Sequence, residues 1–296
     1  MNGSLGGRVG GGEGAGGASG GVGASGGVDE LERKRLGLRG ELEATGGLMV
    51  AFSGGVDSTF LLAAAVEALG DRAVAATGVS PSLAERELED ARALAAELGV
   101  RHVVVPTHEQ ERPGYLANAP DRCYFCKSEL FDVLGPLAEA EGLALAVGTN
   151  VDDLGDWRPG QRAAAERGVR TPLVAAGFTK ADVREASRRM GLRTHDKPAA
   201  ACLASRVAYG IQVTPARLSR VERAEALVRS FGVAQLRVRD HGEIARVEVP
   251  VEALPMLVAP GTRERLAAGL RELGFAYVTL DLEGFRSGSM NASVKP

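Results

Sequence analysis

Leu48-Met49-Val50-Ala51-Phe52, running directly into Ser53-Gly54-Gly55-Val56-Asp57-Ser58, is the stretch on which the fold turns. An apolar run of buried-strand type enters two glycines, and Ser58 to Leu69 then carries a helical pattern that Gly70 stops. A strand–glycine–helix turn lets the backbone pass close to an anion, with the helix's first N–H groups and positive dipole end aimed at it. Ser53, Ser58 and Thr59 add hydroxyl donors, and Asp57 suits a cation that bridges phosphate oxygens. No lysine closes the loop, which separates it from the Walker pattern.

Working outward, Ala73–Val79 reads as a second strand and Leu83–Leu98 as an amphipathic helix ended by Gly99. Val103–Val105 is a third strand, Phe131–Glu141 a helix and Leu143–Val147 a fourth strand. Short apolar strands alternating with helices predict an α/β domain with a parallel sheet covered on both faces. Ligands of such sheets sit at the carboxyl ends of the strands. Ser53-Gly54-Gly55 and Gly148-Thr149-Asn150 both fall at such ends and are expected to face one pocket.

The pattern changes near residue 200. Ala216–Phe231 reads as a helix, Ala234–Arg239 and Ile244–Val249 as strands around Asp240-His241-Gly242, then a helix near Thr262–Leu273 and a strand at Ala276–Leu282. That order predicts a smaller α+β C-terminal domain with an antiparallel hairpin. The expected layout is a disordered Gly-rich tail over 1–28, a nucleotide domain over 29–200, and a substrate and oligomerisation domain over 201–296.

A chain of 296 residues, 45% hydrophobic and 25% charged, has the profile of a globular protein large enough for two domains. No apolar run approaches the ~20 residues of a membrane helix. The opening residues do not read as a signal peptide, so a cytoplasmic location is expected. A net charge of −3 and dispersed arginines argue against a nucleic-acid partner. Three cysteines without an export signal point to metal binding or catalysis rather than a disulfide framework.

Cys123 and Cys126 form a CxxC, which reads as a redox dithiol, half a zinc site or one edge of a cluster. Cys202 is either a small buried hydrophobe or a reactive thiol; its neighbours Asp196, Lys197, Ser205 and Arg206 make a polar setting for a core residue. His195 and His241 offer a fourth ligand for a Cys₃His zinc site. Asp152 and Asp153 either hold Mg²⁺ against pyrophosphate or form a solvated acidic loop. Arg237 and Arg239 alternate on a strand and so share a face, where a nucleotide phosphate would relieve their repulsion. Glu248 on the neighbouring strand either orients the substrate or pairs with an arginine, and Trp157 and Tyr124 either stack on a substrate ring or pack in the core.

The SGGVDS hexapeptide at 53–58 resembles the pyrophosphate-binding loop of the ATP pyrophosphatase superfamily, whose members cleave ATP to AMP and pyrophosphate. With RCYFCKSELF at 122–131, GTNVDDLGDWRPG at 148–160, DKPAAACLASRVAYG at 196–210 and RVRDHGEIARVEV at 237–249, the chain resembles the LarE family of ATP-dependent sulfur transferases. The resemblance implies an adenine nucleotide alpha hydrolase-like fold and the cofactors ATP, Mg²⁺ and a 4Fe–4S cluster. It further implies adenylylation of a carboxylate of pyridinium-3,5-biscarboxylic acid mononucleotide, then exchange of oxygen for sulfur, on the route to the nickel-pincer nucleotide of lactate racemase. One branch of the family gives up the sulfur of a cysteine matching Cys202; another holds a cluster on three cysteines. With three thiols present, the resemblance assigns Cys123, Cys126 and Cys202 as cluster ligands.

By the same resemblance Ser53, Gly54, Gly55, Val56, Asp57 and Ser58 bind ATP, and Asp57 and Asp153 hold Mg²⁺. Arg206, Arg237 and Arg239 take the substrate phosphate, Glu248 and Trp157 contact the substrate, and the enzyme is a homo-oligomer, of hexameric form in the family. A tRNA thiolase with the same loop fits the acidic charge less well. An amide-forming synthetase of the NAD or GMP kind leaves the thiols without a role, and a zinc-stabilised nucleotide sensor would bind ATP without turnover.

Overall fold

The computed structural model describes residues 26–155, 159–198, 201–286 and 289–290. Helix α1 (Gly26–Glu43) leads into β1 (Leu48–Ala51), α2 (Val56–Leu69), β2 (Ala73–Val79), α3 (Glu85–Glu97) and β3 (Arg101–Pro106). A short α4 (Pro113–Leu116) and the long α5 (Arg122–Ala140) precede β4 (Ala144–Ala146), α6 (Pro159–Glu166), α7 (Pro172–Ala175) and α8 (Lys180–Arg189). The strands order β3-β2-β1-β4 and all pair in parallel, Leu48 facing Ala73 on one side and Ala144 on the other. The chain moves from β1 outward to β3 and returns to the far side of β1 as β4. The strand order therefore reverses beside β1, where open parallel sheets bind ligands.

Both faces of the sheet are covered at β1, β2 and β4, whose strands are almost purely apolar, while the edge strand β3 has no fully buried residue. Val50 and Ala75 pack with Phe60, Leu61 and Phe178 on one side, while Met49, Val74 and Ala76 pack with Phe131 and Leu134 on the other. Helix α1 lies where no helix was expected. Leu31, Leu38 and Leu42, one stripe of a mostly polar helix, join the α2 side of this core. The expected disorder of the tail concerns residues that, up to 25, lie outside those described.

The C-terminal region contains α9 (Pro215–Arg229), β5 (Arg237–Asp240), β6 (Ile244–Glu248), α10 (Leu254–Val258), α11 (Thr262–Glu272) and β7 (Tyr277–Leu280). β5 and β6 form the expected antiparallel hairpin, and β7 adds in parallel to β6. Its core, Val238, Val247, Leu257, Leu266, Leu270 and Phe275, is separate from the first. The join is not a free linker. Leu203, Ala204, Val207, Val213 and Val221 pack around Tyr115 of the first region, so the segment after residue 200 is welded to it. No helix among the described residues is long and apolar enough to cross a membrane.

Candidate active site

The loop at the end of β1 is built to stay open toward its ligand. Phe52 N–H donates to Ala76 at 2.7 Å, and Thr77 Oγ1 donates to the Phe52 carbonyl at 2.7 Å, which fixes the loop's root to β2. Gly54 has φ +66°, the left-handed region that favours glycine, and lies against Ala91 of α3. Gly55 caps α2, so the N–H groups of Val56, Asp57 and Ser58 have no acceptor within the helix. Ser58 Oγ ties Ser53 N–H at 3.3 Å, Ser53 Oγ at 3.1 Å and the Gly55 carbonyl at 3.2 Å, closing the turn on itself.

The segment after β4 lies against this turn, as the shared strand ends imply. A Cβ at Gly148 would lie 2.8 Å from the Asp57 carbonyl carbon and from Ser58 N, so only glycine allows so close an approach. Buried Asn150 donates through Nδ2 to Asp57 Oδ1 at 3.1 Å. The other oxygen, Oδ2, accepts from Lys180 Nζ at 2.6 Å. Asp153 Oδ2 accepts from Asn150 N–H at 3.1 Å and Asp152 Oδ2 from Lys180 N–H at 2.8 Å, so both acidic residues shape the surround of Asp57.

A second lysine reaches the loop from the DKP segment. Lys197 Nζ donates to the Gly54 carbonyl at 3.1 Å, to Glu87 at 3.1 Å and to Asp90 at 2.5 Å. Burial alone would raise the Asp90 carboxyl, but Lys197 and Arg193 hold it below the usual carboxylate range. Sequence reasoning assigned neither lysine a role at the nucleotide loop. Lys180 carried no local signal; Lys197 stood out only as polar company for Cys202.

The CxxC segment and the Cys202 segment meet beyond the carboxyl ends of the strands. α5 begins at Arg122, nine residues earlier than the pattern indicated, and its first two turns carry the CxxC thiols. At i and i+3 they share a helix face. Cys126 packs beside Leu203 and Ala204, the residues that follow Cys202. Leu203 N–H in turn donates to Ser82 at 2.9 Å, beyond the end of β2. Buried Arg122 holds the Ala204 carbonyl at 3.0 Å and bonds Asn118, whose amide pins the carbonyls of Val207, Ala208 and Ile211.

All three thiols are free. Burial pushes the Cys126 thiol up to about 12; Lys127 opposes the rise, while Glu109, Cys202 and Cys123 add to it. Cys123 meets solvent, yet the atoms packed about its sulfur, and then Cys202, raise its thiol as well, with Arg122 and Lys127 acting against them. Desolvation would weaken the Arg122 cation, but the neighbouring Cys202 and Cys123 sulfurs more than restore it. Among the described residues no three Cys, His, Asp or Glu side chains are gathered closely enough to hold a single metal ion. His195 bonds the Leu192 carbonyl through Nδ1 at 3.0 Å, and half-buried His241 sits in the β5–β6 turn.

The arginines stand on the other side of the Cys202 segment. Arg206 donates to both oxygens of Glu225, at 2.8 and 3.3 Å, and to the carbonyls of Ala201 and Cys202, at 2.5 and 3.0 Å. Arg239 binds Glu248 Oε2 through two nitrogens, at 3.0 and 2.8 Å, and reaches the Ser205 carbonyl at 3.1 Å. Glu248, fully buried, also accepts from Arg246 and Ser289. Burial opposes its ionisation, but Arg239 in particular keeps its carboxyl below the usual range.

Arg237 shares the face of Arg239, as the alternation predicts. It donates to the Leu236 carbonyl, and its guanidinium lies 5.2 Å from the Phe285 ring. Burial, with repulsion from Arg206 and Arg239, lowers it to about 10. Tyr124 is partly buried against the core of Met49, Phe131 and Leu134, with its hydroxyl bonded to Glu166 and Arg162 lying over its ring. Trp157 lies outside the described residues.

Comparison with known proteins accords with this geometry. The NAD synthase family pattern matches residues 30–113, the stretch from α1 through the loop to α4. An uncharacterized protein of Synechocystis is 48% identical over 88% of this chain and 98% of its own length. A Methanocaldococcus jannaschii protein, also uncharacterized, is 26% identical over 81% of the chain and 91% of its own. The pyridinium-3,5-bisthiocarboxylic acid mononucleotide synthase of Lactiplantibacillus plantarum is 38% identical over 82% of this chain and 88% of the synthase. A nucleotide loop at the switch point of a parallel sheet, with identity of that extent to the synthase, shows that the chain belongs to the LarE family of ATP-dependent sulfur transferases.

Proposed function

We propose that the enzyme adenylylates a carboxylate of pyridinium-3,5-biscarboxylic acid mononucleotide and replaces the activated oxygen with sulfur, in the cytoplasm, during nickel-pincer nucleotide synthesis. The observation that supports this reading is the meeting of the CxxC helix with the Cys202 segment, whose backbone Arg206 and Arg239 hold, beyond the carboxyl ends of the sheet that bears the nucleotide loop. A substrate with a phosphate at one end and a carboxylate at the other would offer the first to the arginines and the second to the nucleotide loop and thiols.

Each part has a task. The loop's N–H groups and hydroxyls hold the β- and γ-phosphates while the carboxylate oxygen attacks the α-phosphorus and pyrophosphate leaves. Asp57, with Asp153 behind Asn150, would hold Mg²⁺, whose charge offsets that on the departing pyrophosphate. Arg237, desolvated and beside two like charges, favours an incoming phosphate. Arg206 and Arg239 frame that position and hold the backbone of Cys202 and of Ser205 respectively.

The thiols suit a 4Fe–4S cluster by their chemistry. They are three sulfur donors without a fourth cysteine in the chain, flanked by Arg122 and Lys127, which offset the anionic charge of thiolates. Cys123, Cys126 and Cys202 would hold such a cluster, which would supply the sulfide that takes the place of AMP on the activated carbonyl carbon. Cys126 and Cys123 must shed protons to ligate, so loading is favoured as pH rises. By the family resemblance the enzyme is a homo-oligomer.

Oxygen-free purification followed by iron and sulfide counting tests this reading, together with AMP release and product mass in the presence of the pyridinium mononucleotide. We expect about four irons per chain, AMP release that requires the substrate, and a thiocarboxylate product with Cys202 intact. A chain lighter by one H₂S after turnover would place the sulfur source in Cys202 itself. Tightly bound zinc without iron would remove the cluster from the account.

A further inference from the structure

The Asp57 carboxylate is divided between two partners of different kind. Asn150, buried and neutral, holds Oδ1 at 3.1 Å; Lys180, charged, holds Oδ2 at 2.6 Å. The Asn150 side is fixed, because its own N–H and Oδ1 are engaged with Asp153 and Asp152. The Lys180 side is not. Its side chain is 35% exposed, and four methylenes separate the ammonium from its backbone. That backbone is anchored by Asp152 and by the capping box of Thr179 with Asp182 at the start of α8. The ammonium can therefore swing about a fixed pivot while the carboxylate keeps its orientation.

We propose that Lys180 is the resident counter-ion of the nucleotide loop, neutralising Asp57 before ATP arrives and passing to the β,γ-phosphates when magnesium takes its place. The inference rests on the ATP-binding reading of the loop. Two cations cannot both crowd Oδ2, and the divalent one wins a carboxylate that also faces phosphate. The displaced ammonium is drawn to the bound phosphates, which carry more negative charge than the Asp152 and Asp153 carboxylates around the loop. There it neutralises charge that grows as pyrophosphate departs, so it matters more in the transition state than in the bound ground state. Lys180 also removes a cost, since without it Asp57 would stand beside the loop as an unpaired charge that repels phosphate.

Lys180→Met and Lys180→Arg test this, read first by binding rather than by turnover. Mn²⁺ binding to nucleotide-free protein, followed by electron paramagnetic resonance, should tighten roughly tenfold or more in Lys180→Met, because Asp57 is released. Magnesium pyrophosphate should bind roughly tenfold or more weakly to the same protein. In turnover kcat should fall more than KM changes, and Lys180→Arg should restore most of the pyrophosphate affinity. Circular dichroism checks folding; should the Met variant not fold, Lys180→Gln carries the same comparison.

Mn²⁺ and pyrophosphate affinities that fall together, or that both stay unchanged, overturn the proposal, the first meaning that Lys180 only props the loop. Opposed changes in a protein that releases no AMP would sustain the counter-ion while removing the adenylylation reading, so the two fail separately.

Discussion

Asp57 and Glu248 are both carboxylates held by cations, but Asp57 keeps 24% of its side chain exposed and rests on one lysine, whereas Glu248 is wholly buried among Arg239, Arg246 and Ser289. A part-exposed single pair costs little to open and little to re-form. A buried pair held by several hydrogen bonds is costly to break, because the survivor is left charged without solvent. The contrast separates charges that must be exchanged at every turnover from charges that hold a shape. On the proposed function, it divides the candidate site into a nucleotide end whose ion pair is exchanged and a phosphate end that is set when the chain folds.

The largest effect is expected at the buried pair. Arg239→Met should cost the C-terminal region about 3–5 kcal/mol, measured by urea unfolding, since Glu248 loses its main partner. If the loss is under about 1 kcal/mol, the distinction between the two carboxylates collapses. The same pair carries a pH signature. The folded Glu248 carboxyl lies below its unfolded value, so its stabilisation is present above that unfolded value, about 4.3. The contribution is lost as pH falls through the folded value. The stability gap between the native chain and Glu248→Gln should therefore narrow on acidification from neutral pH.

Asp57→Ala is next, and its effect should appear in chemistry instead of stability. AMP formation should fall by about 10²–10³, the scale of removing one charge-stabilising group, with a urea midpoint close to that of the native protein. A large loss of stability would place Asp57 with Glu248. Arg237→Ala should weaken binding of the phosphorylated substrate by about 1.5–3 kcal/mol while leaving ATP affinity unchanged, as isothermal calorimetry would show. If ATP affinity fell instead, the phosphate end would have to be reassigned to the nucleotide. The smallest effect is expected for Thr179→Ala, which removes the cap of α8, at about 0.5–2 kcal/mol in thermal unfolding. A raised KM for ATP should accompany it, because the cap fixes the pivot of Lys180.

The nucleotide end was the more legible in the sequence, because its signals are local. Five apolar residues, two glycines and a helix-forming run sit side by side, and the strands of the parallel sheet read as short apolar blocks. Asp57's partners do not. Lys180 lies 123 residues away, and Lys197 meets Gly54 across 143. Nothing in the periodicity of either segment marks a contact that only the packing of α8 and the DKP segment creates.

The start of α5 was hidden for a different reason. Cys123, Tyr124 and Phe125 are weak helix formers, and tertiary packing overrides that weakness. Helix α1 was masked by a glycine-rich flank and a polar surface that diluted the Leu31, Leu38, Leu42 stripe. At the phosphate end the shared face of Arg237 and Arg239 followed from alternation, whereas Glu225, the partner of Arg206, was not among the expected site residues.

Gly148 sets how closely the segment after β4 approaches the nucleotide loop. The volume that a methyl group would fill there already belongs to the backbone of Asp57 and Ser58. The floor of the pocket is thus defined by an omission, and it has no slack: any side chain at this position would lift the first turn of α2 and carry the loop's N–H groups off their aim. The α3 side offers no easier change, because Gly54 holds φ +66°, a conformation that strains any side chain even though a Cβ there would clear Ala91 at 3.4 Å.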